Sequence, residues 1–346
     1  MIRRSLLMAT MLASALAPGP VFARDLTVVS WGGSYQNAQK EAYFKPFVAK
    51  TGIPLVDEAW DGGVGVLRAK VEGGALNWDV VDVESEELTL GCEEGLFEKI
   101  DYSRIGGAES YLPEAVNECG VGAIVYDFIL AYDGDKFKDG PKSWADFWDL
   151  KKFPGMRSLR QGPKTTLEIA LMADGVAPKE VYGVLATDAG VDRAFAKLNQ
   201  LRDHLIFWKA GAQPPQLLAS GEVAMTSAYN GRISAANDQD EKNFKISWNG
   251  ALLTVDSWVI LKGSPNKEQA LKFLEFAGRP EYQRVLPNYI AYGVTSKAAL
   301  PLIEPKRAAN LPTTPENMAN AVQISETYWA ENIDRLTERF NKWLAK

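Results

Sequence analysis

The stretch Asp25-Leu26-Thr27-Val28-Val29-Ser30-Trp31-Gly32-Gly33-Ser34-Tyr35-Gln36 decides the fold. Leu26, Val28 and Val29 give it the apolar, partly β-branched character of a buried strand. Gly32 and Gly33 allow a sharp turn and close approach of backbone to a ligand. Ser34 is expected to cap the helix that follows, whose free N–H groups would face the same spot. In open α/β sheets ligands sit outside the carboxyl ends of the strands, and Trp31 stands at such an end. The stretch therefore predicts an α/β protein with a small-molecule site.

Upstream lies a targeting segment. Arg3 and Arg4 are basic, Ser5 to Ala17 is mostly apolar and small, and Val21-Phe22-Ala23 fits the small-x-small cleavage rule. Cleavage is expected after Ala23, making residues 1–23 a signal peptide and the mature protein periplasmic. The apolar run is too short to span a bilayer, and no later segment is long and apolar enough. The formal charge is −6, and −8 once Arg3 and Arg4 leave with the leader. Such an acidic balance argues against nucleic acid or an anionic membrane surface as partner. The two cysteines, Cys92 and Cys119, are expected to form a disulfide in an oxidising compartment.

Downstream, strand and helix signals alternate. Strands are expected at Leu26–Trp31, Ile53–Trp60 and Asp79–Val83, and helices at Tyr35–Lys50 (with a break or kink at Pro46), after Asp61-Gly62-Gly63, and after a Ser85 cap. That order implies a parallel sheet covered by helices. Gly120–Asp133 is a long apolar and aromatic run, able to cross from one domain to another. A second α/β unit follows, with helices near Thr165–Ala173 and Val191–Asp203 and strands at Leu205–Trp208 and Val223–Ala228. Ala251–Leu261 reads as the return crossing. Asn266–Gly278 reads as a helix, and Glu316–Leu344 as one long helix or a helix pair. Two crossings predict a two-lobed clamshell, with residues 24–129 plus 256–305 as lobe 1 and residues 130–255 plus 306–346 as lobe 2.

The residues that would mark an enzyme are sparse. The single histidine, His204, sits near a predicted helix end, where it reads as a surface or capping residue. No Gly-x-Ser-x-Gly, Walker loop or metal-ligand spacing is present. Neither a cofactor nor a metal is called for, and the chain reads as a non-enzyme.

Several segments in order resemble the periplasmic spermidine/putrescine-binding proteins of ABC importers. Trp78-Asp79-Val80-Val81 with Glu84-Ser85 is similar to that family's Tyr-Asp-x-Val-x-x-Ser segment. Gly221-Glu222-Val223 through Tyr229-Asn230-Gly231 is similar to its Gly-Glu-Val...Trp-Asn-Gly segment. Asp256-Ser257, then Asn266 to Leu274 and Arg279-Pro280-Glu281, is similar to its Asp-Ser...Arg-Pro-Glu segment. The resemblance implies a type II periplasmic-binding fold, an aromatic pocket between lobes, delivery to a membrane permease, and Asp256 at the amine of the ligand. An alkylammonium would satisfy a buried Asp256, and the faces of Trp31, Tyr35 and Tyr229 would add cation–π attraction.

One departure narrows the ligand. Where the polyamine binders place acids in the second lobe, this chain has Arg160-Gln161-Gly162-Pro163-Lys164-Thr165-Thr166. Arg232 follows the Asn230-Gly231 turn. The site is thus expected to be acidic at one end (Asp256, with Glu84) and basic at the other (Arg232, with Arg157 or Lys164). An arginine can hold a carboxylate in a bidentate fork. The expected ligand-binding set is Trp31, Ser34, Tyr35, Glu84, Ser85, Tyr229, Arg232 and Asp256. The expected partner is a polyamine or an ω-amino acid such as 4-aminobutanoate, bound by a monomer. Two rival readings remain: a secreted hydrolase with a carboxylate pair in the cleft, and a ferric-ion binder using tyrosines such as Tyr289 and Tyr292.

Overall fold

The computed structural model describes residues 24–74 and 76–346; the predicted signal peptide lies outside them. Strands β1 (Leu26–Ser30), β2 (Leu55–Ala59), β3 (Val80–Val83), β4 (Gly120–Asp133), β5 (Arg157–Arg160), β6 (Leu205–Trp208), β7 (Met225–Tyr229), β8 (Phe244–Ile260) and β9 (Val322–Gln323) form one sheet. Its order is β2-β1-β3-β8-β4-β7-β5-β6, with β9 on β8. The expected parallel sheet is found only at the flanks, where β2-β1-β3 and β7-β5-β6 are parallel. The centre is antiparallel: β8 runs against both β3 and β4, and β4 against β7.

The two long central strands explain the two-lobed shape. One end of β8 pairs with β3 (Val83↔Ser257) and the far end of β4 pairs with β7 (Phe128↔Tyr229). Between them the β4–β8 register slips, from Phe128↔Leu252 to Leu130↔Ser247. An irregularity of this kind bends a strand and raises its local twist. The return strand begins at Phe244, earlier than the expected Ala251: Phe244-Lys245-Ile246-Ser247-Trp248-Asn249 alternates apolar and polar residues, a half-buried strand signal that lies outside the continuous apolar run.

Local chemistry revises other expectations. Pro46 does not end the first helix. A π-helical turn over Lys40–Phe44 precedes it, with the Lys45 N–H bonded to the Lys40 carbonyl, and Lys45–Thr51 continues as α-helix. The wider turn accommodates a ring that would clash with a carbonyl four residues back. Ser34 is not an N-cap: the helix Gly33–Gln39 is capped by Gly32, whose N–H donates to Gln36 Oε1 at 2.9 Å. Ser85 is likewise the first helical residue, and Glu84 occupies the cap position. Asn230-Gly231 is not a turn but the start of the helix Asn230–Gln239. Of the two readings of Glu316–Leu344, one long helix or a helix pair, the structure has two helices, Pro315–Met318 and Glu326–Leu344, with strand β9 between them.

That last helix packs on the second half of the molecule. Trp329 Nε1 donates to the buried Glu168 at 2.7 Å, and the ring of Phe340 lies 5.6 Å from that of Phe207. Cys92 and Cys119 are joined, tying the helix Ser85–Glu93 to the strand that leaves the first lobe. No helix among the described residues is long and apolar enough to cross a membrane.

Candidate ligand-binding cleft

The parallel strands deliver the cleft. β1 runs into Trp31, β2 into Trp60 and Asp61, β3 into Glu84, β5 ends at Arg160, β6 runs into Lys209, and β7 ends at Tyr229. All of these side chains line one cavity between the two flanking trios. The rule that ligands sit beyond the carboxyl ends of parallel strands holds for both lobes at once. The central strands contribute the floor: Asp256 from β8, and Tyr126 and Ile124 from β4. Asp256 pairs in register with Ile124 and Thr254 with Tyr126, so these side chains share one face.

Aromatic rings shape the walls. Trp31 stacks on Trp60 at 5.1 Å, and Tyr35 meets Tyr292 edge-on at 5.2 Å. The rings of Tyr126 and Tyr229 lie 5.5 Å apart. Tyr292 reaches the site because the Asn230 amide holds the Ala291 carbonyl at 2.6 Å and because residue 231 is glycine: a Cβ there would stand 2.4 Å from the Tyr292 ring.

The acidic end is Asp256. It is buried, and its Oδ1 has no hydrogen-bond partner in the protein. Burial raises its pKa well above the carboxylate range, helped by the negative charges of Asp82 and Glu84. Asp82, beneath it on β3, accepts from Tyr35 Oη at 2.8 Å and Gln39 Nε2 at 2.8 Å. Burial still pushes Asp82 up to about 7.

Arg232 marks the other end. Its Nη1 donates to the Gly32 carbonyl at 2.8 Å and its Nη2 to the Trp31 carbonyl at 3.0 Å. The side chain is buried, lines the cavity, and its Nε has no partner. Among the described residues it meets no carboxylate. It bridges from the helix after β7 to the turn after β1, across the cleft.

Glu84 is placed differently from expectation. It lines the cavity, yet it accepts from Arg160 Nη1 at 2.9 Å, Lys164 Nζ at 2.9 Å and the Tyr229 hydroxyl at 3.1 Å. Burial alone would raise its pKa; the charges of Arg160 and Lys164 outweigh that and hold it well below the usual range. Glu84 is therefore a compensated anion. Lys164 also bonds Glu86 and is not on the cavity wall. Arg157 is elsewhere: its guanidinium caps the Phe147, Phe153 and Gly155 carbonyls inside the second lobe.

Of the expected set, Trp31, Tyr35, Glu84, Tyr229, Arg232 and Asp256 meet at the cavity. Ser34 lies behind Arg232, accepting from its Nη1 at 3.4 Å, and lines a neighbouring hollow. Ser85 is buried and 3.4 Å from Thr254 Oγ1, off the cavity wall. Trp60, Tyr126 and Arg160 line the cavity but were not in the expected set, and Tyr292 was named only for the ferric reading. The strand-end rule that found Trp31 applies equally to Trp60, and to Arg160 once β5 is seen. The tyrosines of the ferric reading are separated: Tyr292 lines the cavity, while Tyr289 is 40% exposed. Among the described residues the one acid–thiol cluster of metal-binding size is Cys92, Glu118 and Cys119, where both sulfurs are in the disulfide.

Comparison with known proteins agrees with this architecture. Residues 42–313 match the family described as bacterial extracellular solute-binding protein, and the chain belongs to that family. It is 45% identical over 94% of its length, and 92% of the relative's, to the gamma-aminobutyric acid-binding protein of Pseudomonas aeruginosa. The putrescine/cadaverine-binding protein of the same organism is 24% identical, with 88% of each chain covered; the resemblance to polyamine-binding proteins is thus borne out as kinship. The solved structure of the Atu4243 GABA receptor superposes with a TM-score of 0.82 at 35% identity, covering 93% of this chain and 98% of that one.

Proposed function

We propose that this protein captures a zwitterionic ω-amino acid such as 4-aminobutanoate between its lobes and presents it to a membrane-embedded ABC permease, acting as an exported monomer cleaved after Ala23. One observation carries the reading. A buried carboxylate and a buried guanidinium, Asp256 and Arg232, each have an atom without a protein partner on the wall of one cavity. A ligand with an ammonium at one end and a carboxylate at the other satisfies both. A diamine would leave Arg232 facing a second cation. The name of the gamma-aminobutyric acid-binding relative and the Atu4243 receptor support the same ligand class.

Binding proceeds by hinge closure without a chemical step. The hinge is assigned to the register slip, Phe128–Leu130 on β4 and Ser247–Leu252 on β8. It leaves residues 24–129 in lobe 1 and most of 130–255 in lobe 2. Contacts from both lobes to one ligand stabilise the closed form.

Calorimetric titration of the mature protein tests the reading, with 4-aminobutanoate, putrescine, butylamine and butyrate. The expected result is stoichiometric binding of 4-aminobutanoate, about a hundredfold or more tighter than either single-ended analogue. Tighter binding of putrescine would reassign the ligand to the polyamines. Turnover of a chromogenic glycoside or ester would reassign the cleft to a hydrolase.

A further inference from the structure

The cavity contains a second carboxylate, Glu84, that the ω-amino acid reading does not use. It is buried, faces the ligand space, and lies across from Asp256. Two carboxylates in one aromatic cleft would suit a diamine. What changes this is Arg160, whose Nη1 bonds Glu84 Oε2 at 2.9 Å from the end of β5. The Arg160 guanidinium also lies 5.4 Å from the ring of Phe128, which fixes its direction.

The charge balance shows why Arg160 is decisive. Glu84, Glu86, Arg160 and Lys164 form one buried cluster with two acids and two bases. With Arg160 present the cluster is neutral, and the buried part of the cavity offers a ligand one anion, Asp256, and one cation, Arg232, while Asp61 and Lys209 on its wall are exposed to water. Without Arg160, Lys164 is shared between two glutamates. One negative charge is then left on the cavity wall, where a second ammonium would be its natural partner.

We propose that Arg160 is the specificity-determining residue that sets the cleft for ω-amino acids against diamines, by masking Glu84. The inference rests on the ligand class proposed above for its choice of probes. Glu84→Gln makes the reverse change: it leaves Arg160 facing the cavity without its acid, so the cleft should accept a second carboxylate.

The test measures putrescine, 4-aminobutanoate and L-glutamate affinities by calorimetry on wild type, Arg160→Met, Arg160→Lys and Glu84→Gln. Arg160→Met should shift the ratio of putrescine to 4-aminobutanoate affinity toward the diamine by about a hundredfold. Arg160→Lys, which keeps the charge, should retain most of the wild-type ratio. Glu84→Gln should shift the ratio of L-glutamate to 4-aminobutanoate affinity upward by at least about tenfold. Unchanged ratios in folded Arg160→Met, or an Arg160→Lys variant that behaves as Arg160→Met, would overturn the assignment. If Arg160→Met does not fold, the glutamate ratio in Glu84→Gln decides alone, and no shift there overturns it. Failure of the wild type to bind 4-aminobutanoate would instead strike the ligand class; the absolute changes in putrescine and L-glutamate affinity between wild type and variants would then decide the role of Arg160 in place of the ratios.

Discussion

A Cβ placed on Gly33 would stand 2.7 Å from Nη1 of Arg232, the guanidinium that reaches across the cleft. Gly33 also has φ +57°, a region that costs other L-residues roughly 1–2 kcal/mol. Residue 33 is therefore small for two reasons, and one of them belongs to the closed form. Gly33→Ala is expected to weaken ligand binding about tenfold or more, through a displaced Arg232. Calorimetry checks it; an unchanged Kd would mean that Arg232 moves aside at no cost.

Asp256→Asn separates binding from stability. Loss of the buried counter-ion should weaken an amine ligand by about 2–5 kcal/mol. The ligand-free variant should nevertheless melt higher than wild type at pH 8, because the amide removes a carboxylate whose charged form burial disfavours. Thermal melts with and without ligand read both effects. A variant less stable in both states would assign Asp256 a purely structural role.

The same acids predict a pH dependence. Burial pushes Asp82 up to about 7, Glu168 up to about 7 and Glu87 up to about 8. The folded state thus holds protons that the unfolded chain releases near pH 4. These groups stabilise most below their unfolded pKa, and their contribution declines as pH rises from about 4 through about 8. Glu84 and Glu98, held low, act oppositely and matter only at pH values below about 4.5. The melting temperature of ligand-free protein should fall between pH 5 and pH 8. Ligand affinity should rise over the same interval, since an ammonium favours ionised Asp256 and its binding releases a proton. Titration in two buffers of different ionisation enthalpy counts that proton.

Lys164→Met tests the clasp between lobes. The ammonium of Lys164 serves Glu84 and Glu86, and removing it leaves Arg160 as the one cation for the two acids, with Glu86 losing its direct partner. Opening restores water to them, so the ligand-free ensemble should shift to the open shape. Small-angle scattering should show a larger radius of gyration, and every ligand should lose affinity by a similar factor. A loss confined to one ligand would place Lys164 at the binding surface instead.

Part of this was legible in the sequence where local signals apply. The strand expected at Leu26–Trp31 is found at Leu26–Ser30 and the apolar run Gly120–Asp133 is a strand, while Asp256, an acid in an apolar run, stands on the cavity wall. Arg160 was missed because Arg157-Ser158-Leu159-Arg160 looks like a polar loop. It is a strand because it pairs in parallel with Leu205–Trp208 and with Met225 and Thr226, partners too distant in sequence to leave a local pattern. Whether Glu84 is a free acid or pairs with the basic residues stayed open in the sequence, because its partners, Arg160 and Lys164, lie far along the chain. Ser34 and Ser85 looked like caps by residue type, yet they are the second and first residues of their helices, since Gly32 and Glu84 held the cap positions.

The interleaved centre of the sheet bears on when the protein can fold. Strand β3 has β1 on one side, but its other edge waits for Ser257–Ile260 of β8. The first lobe therefore cannot complete its sheet until about three quarters of the chain has been made, and pairing across such sequence distance is slow. The second lobe differs, since β4, β7, β5 and β6 pair with one another within residues 120–229. The order of synthesis thus leaves the first lobe the last to close, although its strands are the first to be made.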